Sequence, residues 1–134
     1  MMPIVQSYPP NYKEICQRIP AVKKNKYIIF TYGDTIYNPA GIQLRSDIIV
    51  HERVHIERQT DPVAWWSQYL VDPAFRMQEE LVAYQTQYEY IVKCYNRSLR
   101  RKLLSAIASD LSGSMYGNMI TKEQAIKLIT REDE

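Results

Sequence analysis

A chain of 134 residues with 46% hydrophobic and 24% charged side chains has the balance of one ordinary globular domain, which excludes disorder, collagen-like repeats and low-complexity tails. A net charge of +2, from 17 Lys+Arg against 15 Asp+Glu, is too close to neutral to point to nucleic acid or a membrane surface. No apolar run approaches the roughly 20 residues of a membrane-crossing helix, and the opening MMPIVQSYPPNYKE lacks the basic and apolar stretches of a secretory signal.

Residues 1–20 carry Pro3, Pro9, Pro10 and Pro20, which predicts an extended arm and a short helix over Tyr12 to Ile19 that Pro20 ends. Cys16 and Cys94 are too few for a disulfide scaffold and read as thiols in a reducing compartment. Tyr27 to Tyr32, rich in β-branched and aromatic residues, reads as a strand. Gly33-Asp34 is a tight turn and Thr35-Ile36-Tyr37 a second strand. Asn38 to Gly41 is a loop, since Pro39 and Gly41 both resist continuation of a sheet.

From Ser46 onward the pattern is helical. Ser46 is the predicted N-cap of a helix running to about Gln59, with Asp47 in the first turn where the helix dipole favours an acid. Thr60-Asp61-Pro62 stops it, and a short helix from Val63 to Leu70 carries Trp65 and Trp66, expected to cap the core and not to line a pocket. Asp72-Pro73 opens a long helix to about Tyr95. Another helix runs from Ser98 to Leu111, and its basic run Arg97, Arg100, Arg101 and Lys102 reads as a solvated face. Thr121 with Gln124 forms a capping box before a last helix over residues 122–131. No repeat or linker divides the chain, so residues 1–134 read as a single α+β domain, mostly helical with a small hairpin or sheet near its start.

His51-Glu52-Arg53-Val54-His55 is an H-E-x-x-H on the first strong helix. Residues four apart leave one face of a helix, so both imidazoles can share one ion. Glu52, one step round, can take a proton from a metal-bound water without ligating the metal. A shuffle of this composition gives the pattern roughly once in a thousand. On the wheel, Ile48, His51, Glu52, His55 and Gln59 share an arc of about 100°, while Arg53 and Glu57 point away. Two His and a Glu turned inward need a partner, and a divalent cation suits them.

A catalytic zinc usually has three protein ligands, and no third His exists in the chain. The long helix offers Glu79 and Glu80. Its apolar stripe is Met77, Leu81, Tyr84, Tyr88, Ile91 and Tyr95. Glu80 falls about 60° from the centre of that stripe and Glu79 about 160° from it. Glu80 is therefore the expected third ligand, and Glu79 is expected to point to solvent. Two imidazoles and a carboxylate suit Zn2+ better than magnesium or calcium. Tyr116, in the break Ser112 to Gly117, is a candidate oxyanion donor, against the plainer alternative that it packs. Tyr84 is a candidate brace for Glu80, and Arg58 and Arg76 are candidates for substrate or carboxylate contacts, against the plainer alternative of exposed arginines.

H-E-x-x-H followed by an inward Glu on the next long helix resembles the zincin metallopeptidases, in particular the gluzincin branch. Glu80-Leu81-Val82-Ala83-Tyr84 is similar to the E-x-x-A-[D/Y] third-ligand element of several gluzincin families. The runs TIYNPAGIQLRSDIIVHERVHIERQ, WWSQYLVDPAFRMQEELVAYQTQ and LSGSMYGNMITKEQAIKLI resemble small phage-encoded metallopeptidases. The resemblance implies a minimal zincin-like domain whose small sheet packs on the H-E-x-x-H helix. It implies His51, His55 and Glu80 as zinc ligands and Glu52 as general base of a peptidase. Tyr27 to Tyr37 would be the edge strand that pairs with an extended peptide substrate. It further implies peptide or protein substrates, with phage virion proteins as possible partners, and a place in the host cytoplasm or the virion. Better-studied gluzincins carry a sizeable second subdomain. Here only about forty residues follow the long helix, so the alternative expectation is a non-catalytic zincin-like interaction module with a structural or vestigial metal site.

Overall fold

The computed structural model describes residues 2–132. It is an α+β fold, mostly helical, with a three-stranded sheet near the N-terminus. The strands are β1 (Ile4–Val5), β2 (Phe30–Tyr32) and β3 (Thr35–Tyr37), in the order β1-β3-β2. The β2–β3 hairpin is antiparallel, with Thr31 opposite Ile36. Its turn uses Gly33 at a φ of 64°, a left-handed value that a residue with a Cβ adopts only with strain. The N-terminal arm does more than extend: Ile4 and Val5 pair in parallel with Ile36 and Tyr37, and the Ile36 N–H donates to the Pro3 carbonyl. The first predicted strand is shorter than its composition suggests. Lys26 and Tyr27 form a turn, and Ile28 and Ile29 lie outside the ladder.

Six helices follow the predicted order: α1 (Tyr12–Arg18), α2 (Ser46–Arg58), α3 (Pro62–Val71), α4 (Pro73–Cys94), α5 (Arg97–Leu111) and α6 (Lys122–Thr130). Their boundaries follow from side-chain chemistry. Asp61 and Asp72 accept backbone N–H bonds ahead of Pro62 and Pro73, which lack the N–H that a first helical turn leaves unpaired. Thr121 and Gln124 form the expected capping box. Two starts differ from expectation. Ser46 is already helical and makes no cap bond, because the extended residue is Arg45. Asn96 caps Leu99, so α5 begins at Arg97 instead of Ser98. Short 3-10 segments cover Pro20–Lys24 and Ser114–Tyr116. No helix among the described residues is long and apolar enough to cross a membrane.

The long helix α4 is central. Tyr84 and Ile91 are buried in an apolar cluster with α5 and α6, and Met77, Leu81, Tyr88 and Tyr95 pack on it, as the stripe predicts. A second apolar cluster joins Ile15, Cys16, Ile19, Val22, Phe30, Trp65, Trp66, Tyr69 and Leu70. Between the two runs a polar face of α4, made of Arg76, Glu79, Glu80 and Gln87 around Ala83, all buried. The largest helix interface is that of α4 with α2, and α2 also rests on β2. The H-E-x-x-H helix is thus clamped between the small sheet and the polar side of α4.

Candidate metal centre

His51, Glu52 and His55 on α2 and Gln59 at its C-cap are buried, whereas Arg53 and Glu57 are exposed, as the wheel requires. The turn spacing delivers both imidazole Nε2 atoms to one carboxylate oxygen. Glu80 Oε1 lies 3.0 Å from His51 Nε2 and 3.2 Å from His55 Nε2. Each of the three residues offers a ligand atom within 4.8 Å of the others, a grouping that can hold a metal ion. The other oxygen of Glu80 accepts a 2.6 Å hydrogen bond from the Tyr69 hydroxyl. Glu80 therefore presents a single oxygen to the imidazoles.

Glu52 sits beside this group. Its Oε1 accepts from the Thr31 hydroxyl at 2.8 Å, and its Oε2 lies 4.0 Å from His51 Nε2 with no other partner. Strand β2 thereby fixes the carboxylate and leaves one oxygen free. The electrostatics follow from burial. Desolvation raises the Glu52 pKa, and the nearby imidazoles offset only part of that rise. Desolvation would lower His55, but the Glu80 charge and hydrogen bond outweigh it and push His55 up to about 9. For Glu80, burial alone would raise the pKa, yet the two imidazoles overcome it and hold the carboxyl well below the usual range.

Behind His51 a chain of side chains runs to the surface. His51 Nδ1 is 2.9 Å from Gln87 Oε1, and Gln87 Nε2 donates to Asp47 Oδ2 at 2.7 Å. Asp47 is fully buried and also accepts from Arg45 and from the Tyr95 hydroxyl. Burial would raise its pKa, but those hydrogen bonds and the Arg45 charge hold it below the usual carboxylate value. His55 has no equivalent: its Nδ1 is buried without a hydrogen-bond partner among the described residues. Its ring packs edge-on against Trp65, with centroids 5.5 Å apart.

A cleft of about 460 Å3 opens on the cluster and is lined by Glu52, Tyr84, Asp110 and Tyr116 among others. Tyr116 is buried in the 3-10 turn that bridges α5 and α6. Burial and the Glu80 charge raise its pKa well above that of a free phenol, which keeps it a proton donor. Tyr84 lies edge-on to His51 at 4.5 Å between ring centroids and, among the described residues, makes no hydrogen bond to Glu80.

Four expectations are corrected. Glu79 does not face solvent: it is buried, takes a two-pronged contact from Arg58 at 2.9 and 2.7 Å, and accepts from the Trp65 indole. The wheel assigned α4 one buried face, whereas α2 and α3 bury a second. Trp65 and Trp66 belong to the core but also line the cleft. Arg76, taken as a candidate for a carboxylate, is buried and donates to the carbonyls of Tyr69, Leu70 and Met115. The expected substrate-pairing edge is partly closed as well, because the Thr31 carbonyl already accepts from Gln59 and Trp66.

Thr31, Asp47, Tyr69 and Gln87 went unrecognised in the sequence. Two of them had a signal. Asp47, His51 and His55 recur every fourth residue, and Gln87 lies seven residues beyond Glu80, two turns along the same face. Thr31 and Tyr69 reach the site only through tertiary packing. No protein family, curated protein or solved structure matches the chain.

Proposed function

We propose that the chain is a zinc-dependent peptidase in which His51, His55 and Glu80 hold the metal and Glu52 is the general base. The observation that carries this reading is the convergence of two Nε2 atoms on Glu80 Oε1, with the free Oε2 of Glu52 beside them. The donor set fits. Tetrahedral zinc with bonds of about 2.0–2.1 Å sets its ligand atoms roughly 3.3–3.4 Å apart. The 3.0 and 3.2 Å separations need to open by only a few tenths of an ångström.

When bound, zinc supplies Lewis-acid polarisation of a carbonyl and acidifies water at its open position. The protein groups do the rest. Glu52 accepts a proton from the attacking water at Oε2 while Thr31 holds Oε1, and a raised pKa brings the carboxylate nearer to neutral pH, where a base works best. Tyr116, kept protonated, is the group on the cleft wall suited to donate to a developing oxyanion. The occupied Thr31 carbonyl restricts strand-like pairing, which favours short or flexible peptides that lie along Ile28 to Phe30.

Zinc-reconstituted wild type and Glu52→Gln, digested side by side against a peptide library, test the proposal. The variant should retain about one zinc per chain while hydrolysis falls about 100- to 10,000-fold. Undiminished turnover in Glu52→Gln removes that residue from the chemistry. Zinc without hydrolysis in the wild type favours the non-catalytic interaction module.

A further inference from the structure

The two histidines of the cluster differ in what stands behind them. Asp47 is fully buried, and a carboxylate only accepts hydrogen bonds. Arg45 donates to both of its oxygens, at 2.9 and 3.2 Å, and Tyr95 donates to Oδ1 at 3.1 Å. The Gln87 atom 2.7 Å from Oδ2 must then be the amide nitrogen. That choice turns the Gln87 carbonyl oxygen towards His51 Nδ1, 2.9 Å away. An acceptor at that distance requires the proton on Nδ1, so Nε2, 3.0 Å from Glu80 Oε1, is the nitrogen that gives up its proton and offers its lone pair when an ion enters the cluster.

We propose that Asp47 and Gln87 form a polarity relay that fixes the ligating tautomer of His51, with Gln87 as the positioning residue and Asp47 as the group that sets its direction. This rests on the metal-centre reading above. The relay is one-sided, since His55 Nδ1 has no partner and that ring is placed by Trp65 and Glu80. Arg45, with its side chain 48% exposed, anchors the relay at the surface. Its direction therefore originates in the Arg45 charge on the cleft wall, which is not one of the metal-binding groups.

Zinc affinity, measured by chelator competition, is the first readout. The second is the exchange protection of the His51 ring N–H in the zinc-loaded protein, followed by NMR. Asp47→Asn lets the Gln87 amide reverse, and Gln87→Met removes it while Asp47 keeps Arg45 and Tyr95. Each should weaken zinc binding about 10- to 100-fold and abolish protection of the ring N–H. The exchanged pair Asp47→Asn with Gln87→Glu reverses only the bond between positions 47 and 87 and keeps an acceptor for Tyr95, for Arg45 Nε and for His51 Nδ1, so it should recover most of the affinity and the protected proton. Gln87→Met guards against a fold defect in Asp47→Asn, with the melting of each metal-free variant as control. The relay is overturned if the single variants bind zinc like the wild type, or if they lose zinc and the exchanged pair fails to restore it. A wild type that takes up no zinc removes the metal-centre reading and the relay with it.

Discussion

The two ends of the histidine pair, one helical turn apart on α2, are built on different principles. The His51 end is organised by directional hydrogen bonds through Gln87 and Asp47 to Arg45. The His55 end is organised by packing and charge: Trp65 lies against the ring, and the neighbouring Glu79 is neutralised by Arg58. The contrast shows that one motif can present two equivalent nitrogen atoms while their supports answer to different variables. Hydrogen-bond direction organises one end, and ring packing beside a shared carboxylate organises the other.

Glu80 is shared by both ends, so its loss should have the largest effect. Glu80→Ala should lower zinc affinity by more than the roughly 100-fold ceiling of an outer-shell loss. It also breaks a buried ion pair, which should destabilise the metal-free protein by about 3–5 kcal/mol in denaturant titrations. An affinity loss confined to one decade would show that Glu80 is not a ligand.

The pH dependence isolates the His55 end. Its pKa is raised from 6.5 to about 9, so in the metal-free protein it carries a proton at neutral pH that an entering ion must displace. Apparent zinc affinity should climb about tenfold per pH unit and level off near 9. The metal-free fold behaves oppositely. A raised histidine pKa contributes stability that is complete below 6.5 and fades as pH rises through about 9, so melting temperatures should fall across that window. The lowered Glu80 describes the same pair from its acid side, where stability is present above 4.5 and is lost only as pH falls through the depressed value. A flat affinity profile would contradict this assignment.

The smallest expected effect on metal is that of Glu79→Ala. It leaves the Trp65 indole N–H buried without an acceptor, at a cost of about 1–3 kcal/mol of stability. Zinc affinity should change by less than about tenfold, since Glu79 reaches the His55 ring only indirectly, through Trp65 and through a charge already paired with Arg58. Equal losses of zinc in Glu79→Ala and Glu80→Ala would erase the distinction between ligand and support.

Much of the site is local in origin and was legible in the sequence. His51, Glu52 and His55 follow from helical periodicity, and Glu80 from its angle to the apolar stripe of α4. The same stripe misplaced Glu79, because periodicity locates one buried face and says nothing of a second helix packed on the other side. The polar residues Arg76, Glu79, Glu80 and Gln87 repeat at helical spacing too, but polar periodicity resembles a solvated face until a partner helix is known. Thr31 and Tyr69 act at separations of 21 and 11 residues from the groups they bind, through β2 and α3, and no local pattern encodes such contacts. For the sheet, β-propensity located the hairpin, while the pairing of Ile4 and Val5 with β3 depends on where a proline-rich arm happens to cross.

The position of the cluster on a seam has a mechanical consequence. One apolar cluster gathers α1, β2 and α3, the other gathers α4 to α6, and Met115 packs against both. Neither cysteine is bonded, so no covalent bridge ties the two halves. A cation gripped by two residues of α2 and one of α4 would act as a rivet across 25 to 29 positions of chain. Loading it should slow the parting of α2 from α4, and stripping it with a chelator should make the protein markedly easier to cleave by an added protease.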